Sequence, residues 1–189
     1  MYICLSQNTV QSGDYTLTAI RPCDIFLIKE WRNAQIDILR QSKSLSDDDQ
    51  RRYFETQIYP SFTQAAPPQI LFSFLLHGEC IGYGGLVHIH WQDRNAEISF
   101  LLETSRNKNI NLFQHEWAIY LQLLQRIAFE QLKFEKIYTY AYDLRPYLIE
   151  TLEAEGFVQE ARLKRHVFIH NQATDVLIHS LFNKIIAIQ

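Results

Sequence analysis

The clearest pattern of apolar and polar positions lies in the middle of the chain. Glu97 to Leu102 is apolar enough for a mostly buried strand, the next residues are polar, and an amphipathic stretch follows. Asn111 and Gln114 form a variant of the capping box, so we predict a long helix that begins near Leu112. Its buried stripe consists of apolar residues at helical spacing: Phe113, Trp117, Tyr120, Leu121, Leu124, Ala128 and Leu132.

The N-terminal third predicts one strand and two helices. Tyr15 to Ile20 alternates like a short strand, after a first dozen residues that give little signal. A helix opens at Pro22 and ends near the triplet Trp31-Arg32-Asn33. Ser46, which three aspartates follow, predicts the N-cap of a second helix, and Tyr59-Pro60 should end that helix.

Three antiparallel strands should follow in sequence. Ile70 to Leu76 is a continuous apolar run, His77-Gly78 is typical of a tight turn, and Cys80 to Trp91 forms the return strand. The return strand contains three glycines, at positions 82, 84 and 85. They indicate a bulge or a close backbone approach, because apolar residues continue on both sides. The buried strand described above is the third of the set.

The C-terminal third adds a strand, a helix and two final strands. The strand is Lys136 to Tyr142, Pro146 opens the helix, and Gly156 ends it. The final strands run from about Gln159 to His170 and from Asp175 to Phe182. The order β-α-α-β-β-β-α-β-α-β-β predicts an α+β fold, with a mixed, mostly antiparallel central sheet flanked by helices.

Composition and charge narrow the function. With 189 residues, 47% of them hydrophobic, we expect a single globular domain over residues 1–189. The net charge of -3, with both signs dispersed, offers no basic surface for nucleic acid or an anionic membrane. Cys4, Cys23 and Cys80 are too widely spaced for a disulfide framework or a zinc site. Without a signal peptide or an apolar run of roughly 20 residues, the sequence predicts a cytoplasmic protein that holds no metal.

The polar segment before the long helix, Arg106 to Asn111, has the composition of an anion-binding loop. Asn alternates there with charged or apolar residues, and Asn tolerates positive φ better than any residue except Gly. Such a loop points successive backbone N–H groups into one concavity. Arg106, Lys108 and the positive end of the next helix add charge of the same sign. The arrangement favours a phosphate; an ordinary polar loop with an N-cap is the alternative.

The same segment carries a family resemblance. Arg106-x-Lys108-x-Ile110-x, between a strand and a helix, resembles the Gln/Arg-x-x-Gly-x-Gly/Ala loop of the GNAT superfamily of N-acyltransferases, with Asn at both glycine positions. The order of elements, the Trp31-Arg32-Asn33 triplet, the strand from Ala96 to Phe100 and the helix end from Leu152 to Phe157 are further similarities. The triplet and the Ser-capped acidic helix resemble the branch of amino-sugar-nucleotide and ribosomal-protein N-terminal acetyltransferases.

The resemblance implies a function and a cofactor. Acetyl-CoA, or another acyl-CoA, would be the cosubstrate, and a small primary amine, such as a nucleotide-linked amino sugar, would be the acceptor. Protein N-terminal acetylation and a non-catalytic binding module with this fold are the alternatives, and a homodimer is compatible with the resemblance. The match puts the thioester at the main chain of Leu101 and Leu102. It puts the pyrophosphate, with Arg106 and Lys108 beside it, on the amides of Asn107, Lys108, Asn109, Ile110 and Asn111.

Amide formation needs a base for the amine, a donor for the oxyanion and a proton for the departing thiolate. Glu97 is the first candidate base, since a carboxylate on an apolar strand should have a raised pKa and since it resembles the family's catalytic glutamate. An ion pair with Arg94 is the alternative role for Glu97. His88 and His90, spaced to share one face of their strand, are rival bases or merely half-exposed strand histidines.

The acid and the acceptor site have weaker candidates. The family's usual acid is a Tyr at the position that Leu152 occupies here, so Tyr147 or Tyr142 would supply the proton, unless either simply packs on the sheet. Four residues are candidates for orienting the acceptor: Arg32, Asn33, Tyr83 and His90. A helix C-terminus with a surface charge is the alternative for the first two.

Overall fold

The computed structural model describes residues 1–184, which form an eight-stranded sheet with helices on both faces. The strands are β1 (Thr9–Ser12), β2 (Tyr15–Ala19), β3 (Ile70–Leu76), β4 (Glu79–His90), β5 (Asn95–Leu102), β6 (Lys136–Tyr142), β7 (Val158–Ile169) and β8 (Gln172–Phe182). The helices are α1 (Ile25–Ala34), α2 (Asp47–Tyr53), α3 (Tyr59–Ser61), α4 (Thr104–Asn107), α5 (Ile110–Gln125) and α6 (Pro146–Ala154). Two π-helical turns, Phe54–Ile58 and Arg126–Gln131, and two 3-10 helices, Pro22–Asp24 and Ile36–Ile38, complete the set.

The sheet is mixed and mostly antiparallel, as the sequence predicts. Its strands lie in the order β1-β2-β3-β4-β5-β6-β8-β7, and β5 with β6 is the parallel pair. This pairing is short and ends where Glu97 lies opposite Tyr138. Beyond that point the two strands separate and leave a gap in the sheet. Backbone groups along the gap are available to a ligand, because no neighbouring strand uses them.

The sheet separates two hydrophobic cores, because side chains alternate between the faces of a strand. Phe72 and Leu102 belong to the core that α5 and α6 cover. Leu71 and Leu101, one residue earlier in each strand, belong to the core that α1 and the α2–α3 segment cover. The gap between β5 and β6 therefore opens between two layers of helices.

The glycines of β4 allow a close backbone approach, as the sequence predicts. A Cβ on Gly84 would lie 2.1 Å from the carbonyl oxygen of Ser99 and 2.6 Å from the hydroxyl of Tyr120. The missing Cβ lets that hydroxyl, carried by α5, donate to the Ser99 carbonyl at 2.9 Å. Gly85 has a φ of 152°, and its Cβ would lie 2.0 Å from the carbonyl oxygen of Ile70. These glycines thus bring β3, β4, β5 and α5 close together.

The start of α5 differs from the prediction. The helix begins at Ile110, and its N-cap is Asn109, whose side-chain oxygen accepts the N–H of Leu112 at 3.2 Å. The predicted cap at Asn111 and start near Leu112 are therefore wrong by two residues. Both Asn residues can cap a helix, and the residue pattern does not distinguish them.

The helical segment after Ser46 is also longer than predicted. The predicted N-cap at Ser46 is confirmed and forms a capping box, since Ser46 accepts the N–H of Asp49 and the Asp49 side chain accepts the N–H of Ser46. Pro60 does not end it, because the π-helical turn Phe54–Ile58 intervenes and Pro60 falls in the first turn of α3. Proline is tolerated in a first turn, where its missing N–H has no acceptor in the helix.

Three further points concern the chain as a whole. The first dozen residues, which give little signal, contain β1, which pairs antiparallel with β2. The three cysteines carry free thiols. Among the described helices, none combines the length and apolarity that a membrane span requires.

Candidate active site

A cavity of about 730 Å³ passes through the gap between β5 and β6. The strand residues that border the gap, 97–101 on β5 and 139–142 on β6, form its walls. Arg32 and Phe54 line it on one face of the sheet, which we call the α1 side. Trp117 and Leu148 line it on the other face, which we call the α5 side. The cavity therefore connects the two faces of the sheet, so that two molecules can meet inside it from opposite directions.

Glu97 lies where the gap begins, and it is only 5% exposed. One carboxylate oxygen forms an ion pair with the guanidinium of Arg40, and the other lies 2.9 Å from Nδ1 of His88. Arg94, the partner considered from sequence, pairs instead with Glu135. A buried carboxylate needs such compensation. The same contacts hold the imidazole in one orientation at the edge of the cavity.

A bulge in β4 separates the two candidate histidines. The pairing of β4 with β5 shifts register between Val87 and His90, and His88 has a φ of 47°. His88 lines the cavity and reaches Glu97. His90 is exposed, lies opposite Asn95 and is not part of the cavity wall. The structure thus brings His88 and Glu97 together as a pair and leaves His90 outside.

Arg40 is a site residue that sequence reasoning missed. It follows the 3-10 helix Ile36–Ile38, and its guanidinium carbon lies 4.7 Å from the ring centroid of Tyr140. Because Glu97 belongs to β5 and Tyr140 to β6, Arg40 bridges the gap at its narrow end. Its contact with Glu97 joins residues 57 positions apart. No local pattern around Arg40 indicates such a contact.

Arg32 and Tyr83 lie together on the α1 side, whereas Asn33 has another role. Arg32 Nη1 donates to the Tyr83 hydroxyl at 2.6 Å, and both residues line the cavity. Asn33 donates to the carbonyl of Leu45 at 2.9 Å and accepts the N–H of the same residue at 2.8 Å. Asn33 therefore holds the segment before α2 and lies outside the cavity wall.

The two candidate phenols are also separated. Tyr142, near the end of β6, lines the cavity, and burial raises the pKa of its hydroxyl. The ring of Tyr147 packs edge-on against Phe113 at a centroid distance of 5.2 Å, and Tyr147 is not part of the wall. Tyr142, the second of the two phenols considered, is therefore the one that lines the cavity.

The backbone of β5 offers alternate residues to the gap. Glu103 donates its N–H to Ile81 of β4, and Leu102 accepts from the side chain of Gln35 through its carbonyl. Since successive strand residues point their N–H and C=O groups to opposite sides, Leu101 and Ser99 face β4. Leu102 and Phe100 then face away from β4. Of the two residues predicted to meet the thioester, Leu101 lines the cavity, whereas Leu102 faces away from β4 but is not part of the cavity wall.

The loop after β5 is more ordered than the predicted concavity. Its first part is the helical turn α4, and the N–H groups of Asn107, Lys108 and Asn109 donate to the carbonyls of Glu103, Ser105 and Arg106, in that order. The expectation of positive φ is wrong, since no Asn of this loop adopts it. Asn109 instead has a φ of -94°. Three of the five amides predicted to bind phosphate are thus already hydrogen-bonded. The other two, the N–H groups of Ile110 and Asn111, lie in the first turn of α5 and have no acceptor within that helix.

Arg106 faces the protein rather than the loop. Its guanidinium forms an ion pair with Glu116, whose side chain is fully buried, and lies 3.4 Å from Glu103. Burial raises the pKa of Glu116, and the guanidinium of Arg106 opposes that rise. Lys108 is the other predicted phosphate ligand, and it is an exposed residue at the C-cap of α4. Arg106 is therefore committed to the charge of Glu116.

The cavity wall contains polar groups without protein partners. Nε1 of Trp117 on the α5 side and Oγ1 of Thr139 on β6 are buried, and neither has a hydrogen-bond partner in residues 1–184. Arg145, just before α6, also lines the cavity. Buried donors normally have acceptors. A wall of this kind fits an oxygen-rich ligand, such as the amide and phosphate groups of CoA.

Comparisons with known proteins find the same fold in solved structures. Spermidine N-acetyltransferase from Vibrio cholerae, solved in complex with CoA and spermine, matches with a TM-score of 0.77 and 20% sequence identity, over 91% of this chain and 97% of that one. A dodecameric structure of spermidine N-acetyltransferase from the same organism, in an intermediate state, matches with a TM-score of 0.73 and 20% identity, over 90% and 95% of the two chains. At such identities the likeness shows a common fold.

No curated protein has significant sequence similarity to this chain. The sequence model of the acetyltransferase (GNAT) domain, however, matches residues 17–178, from β2 to β8. This range contains Glu97, His88, Arg40 and both strands that border the gap. The expected enzyme class is confirmed by this match: the chain belongs to the GNAT family of acetyltransferases.

Proposed function

We propose that this protein transfers an acetyl group from acetyl-CoA to the primary amine of a small acceptor inside the cavity between β5 and β6. The observation that carries the proposal is the placement of Glu97. It lies at the narrow end of the gap, in contact with His88 and Arg40, in a cavity that opens to both faces of the sheet. The acceptor reaches this point from the α1 side, and the cofactor reaches it from the α5 side.

The proton leaves the amine through the pair of His88 and Glu97. Nδ1 of His88 donates to Glu97, which leaves Nε2 as the proton acceptor, and imidazole is the side chain that changes charge near neutral pH. Glu97 orients the ring and stabilises the imidazolium that forms. Arg40 in turn holds Glu97 in place. Glu97 and His88, considered as rivals from sequence, thus act together as the base.

Residues around the gap supply the other two requirements. Acetyl-CoA, when bound, supplies the thioester and the thiolate that leaves. Main-chain N–H groups of β5 that face the gap, such as that of Phe100, stabilise negative charge on the carbonyl oxygen. Of the two candidate phenols, Tyr142 lines the cavity, but it lies four residues along β6 from Tyr138, the residue opposite Glu97. The proton for the thiolate therefore comes from the imidazolium that forms on His88.

The charges of the cavity wall suggest the chemistry of the acceptor. Three arginines, at positions 32, 40 and 145, and two carboxylates, those of Asp49 and Glu97, line it. A polyamine carries several positive charges and needs an excess of carboxylates, so this wall does not complement it. An amine with hydroxyl or anionic groups, such as a nucleotide-linked amino sugar, fits better. Arg32 and Tyr83 are placed to hold those groups.

The release of free thiol tests the acceptor. Purified protein is incubated with acetyl-CoA and one of four acceptors: a nucleotide-linked amino sugar, an aminoglycoside, spermidine or a peptide with a free N-terminus. We expect the amino-sugar class to react fastest and spermidine slowly. Reactions without amine measure background hydrolysis. Preferential reaction with spermidine would overturn the acceptor assignment, and preferential reaction with the peptide would favour protein N-terminal acetylation.

The alternative of a non-catalytic binding module rests on the loop, where Asn replaces both family glycines. Thermal unfolding with added CoA separates the two functions. A ligand at a hundredfold excess over its Kd stabilises the folded state by about 2.7 kcal/mol. We expect a clear rise in Tm with CoA. No rise at millimolar CoA, together with no thiol release from any amine, would contradict the enzyme proposal and favour the binding module.

The assembly of the chain belongs to the same proposal. We infer a homodimer from the family resemblance, while spermidine N-acetyltransferase from Vibrio cholerae is described in a dodecameric structure. Light scattering on the purified protein measures the mass in solution. A mass twice that of the 22.4 kDa chain is the expected result. A monomer or a larger ring would contradict it.

A further inference from the structure

The α5 side of the cavity contains a guanidinium without an acidic partner. Arg145 lines the cavity just before α6, and its guanidinium carbon lies 5.6 Å from the ring centroid of Phe113, in the first turn of α5. Tyr147 is the neighbouring group that interacts with its charge, and no carboxylate of residues 1–184 forms an ion pair with it. Burial lowers the pKa of Arg145. Arg145 is half-buried, and a guanidinium without a carboxylate partner is available to bind an anion.

Arg106, the cation predicted to bind phosphate, already forms ion pairs with carboxylates of the protein. Arg106 is held by Glu116, which is buried, and by Glu103. Moving its guanidinium to a ligand would leave the Glu116 charge buried and unpaired, which is strongly unfavourable. Three of the loop amides are bonded to carbonyls within the loop. The loop therefore offers a phosphate the exposed side chain of Lys108 but no free guanidinium.

We propose that Arg145, rather than Arg106, is the guanidinium that binds the pyrophosphate of CoA; this inference rests on the proposed function. In other members of the family the loop is expected to carry the positive charge beside the pyrophosphate, and here Arg145 supplies that charge. Its planar fork suits two phosphate oxygens at once. The first turn of α5, next to Phe113, completes the site.

The position of Arg145 along the gap favours phosphate over the acyl group. The gap is narrow at Glu97 and Tyr138 and widens toward the ends of β5 and β6. Arg145 follows β6 by three residues, and β6 runs about 13 Å from Tyr138 to Tyr142, at about 3.3 Å per residue. Since the thioester reacts near Glu97, Arg145 lies at the far end of the bound cofactor. The Trp117 and Thr139 donors lie between these two ends.

Calorimetric titration with three ligands tests the assignment. CoA carries all its phosphates, dephospho-CoA retains only the pyrophosphate, and pantetheine has none. In Arg145→Gln we expect the Kd for CoA and for dephospho-CoA to rise about 10- to 100-fold, because a charge-assisted bidentate contact is lost. The Kd for pantetheine should not change. Arg145→Lys should give an intermediate loss, because it keeps the charge and loses the fork.

Matched variants and the possible outcomes make the test decisive. Lys108→Gln removes one positive charge from the loop and should change the Kd for CoA less than Arg145→Gln. Equal losses for CoA and pantetheine would show a structural role for Arg145, and a loss for CoA without one for dephospho-CoA would place Arg145 at the 3′-phosphate. Either result overturns the inference, as does an unchanged Kd for CoA. If the wild-type protein itself does not bind CoA, the proposed function fails too. If wild type binds CoA and Arg145→Gln binds it equally well, only the assignment of Arg145 fails.

Discussion

At the scale of single residues, the contact of Glu97 with His88 is the feature with the most direct consequence for activity. Glu97→Gln keeps the shape of the side chain but removes the charge that orients and compensates the imidazole. We expect kcat to fall by about 10²- to 10⁴-fold, as for loss of general base catalysis. The Kd for CoA should change little, since Glu97 lies near the reacting thioester and far from the phosphates of the cofactor. Steady-state kinetics and CoA titration measure the two effects.

The histidines provide a matched control for this prediction. His88→Gln removes the proton acceptor and should lower kcat about as much as Glu97→Gln, because the two residues act as a unit. His90→Gln changes the same residue type two positions later, outside the cavity, and should leave kcat nearly unchanged. The acidic limb of the pH profile of kcat/KM should disappear in His88→Gln. Near-full activity of both Glu97→Gln and His88→Gln would eliminate the pair as the base.

The residue pattern predicted part of this site and missed the rest for a physical reason. Glu97 and His88 stand out because polar groups on apolar strands are unusual. Arg40 does not stand out, because its contact with Glu97 depends on the path of the chain between α1 and α2. His90 was predicted to share one face of the strand with His88, as a rival base, since side chains alternate along a strand. The bulge at His88 breaks that alternation, and sequence periodicity does not reveal its position.

At the scale of elements, the close packing of β4 against β5 predicts a graded effect of added methyl groups. Gly84→Ala would put a Cβ 2.1 Å from the Ser99 carbonyl oxygen, so the strands must move apart. We expect the free energy of unfolding to fall by about 1–3 kcal/mol, as for other overpacked interiors. Gly82→Ala meets the Leu101 carbonyl oxygen at 2.8 Å and should cost less. Urea unfolding measures both, and equal stability of Gly84→Ala and wild type would contradict the packing argument.

The N-cap of α5 gives a second prediction at this scale. Asn109→Ala removes the acceptor for the Leu112 N–H and should lower the free energy of unfolding by about 1 kcal/mol, whereas Asn109→Gly should cost a few tenths. Asn111→Ala is the matched control, because Asn111 lies inside the helix and should change stability by no more than about 0.5 kcal/mol. Urea midpoints of the three variants measure the difference. A larger loss for Asn111→Ala would show that α5 begins where the sequence pattern indicates.

Element order and type were largely predictable, whereas local irregularities were not. The long stripe of α5 and the alternation of the strands arise from burial on one face, which the residue pattern records directly. The residue pattern does not reveal the π-helical turn before Pro60, since this turn depends on how Phe54 and Ile58 pack against the sheet. The loop from Arg106 to Asn111 was predicted as a concavity because its composition allows positive φ. The buried charge of Glu116 instead draws Arg106 inward.

At the scale of the whole molecule, the short pairing of β5 with β6 connects the fold to the function. Three residue pairs join the strands, and residues 98–101 of β5 and 139–142 of β6 border the cavity. The element order does not show which side chains cross the gap. Arg40 reaches across at the narrow end, and Arg145 lies at the wide end. The identity of the acceptor depends on such long-range placements and not on element order.

Folding also brings an uncharged histidine into the sheet, which predicts how stability depends on pH. His179 of β8 is fully buried opposite Thr139, and burial lowers its pKa from the ordinary value of 6.5. Glu153 of α6, whose carboxylate lies 3.6 Å from His179 Nε2, opposes this effect and is the smaller influence. Since the unfolded chain binds the proton more readily, stability contributed by neutral His179 is complete well above pH 6.5 and is lost as the pH falls below it.

A variant isolates this contribution from that of the other titratable groups. In His179→Gln the residue no longer titrates, so its free energy of unfolding should fall less than that of wild type between pH 7.5 and pH 5.5. Urea unfolding at both pH values gives the comparison, and the difference between the two slopes belongs to His179 even if the variant is less stable throughout. Identical losses in the two proteins would mean that His179 gains its proton as easily in the folded state as in the unfolded chain. Burial in β8 would then not control its charge.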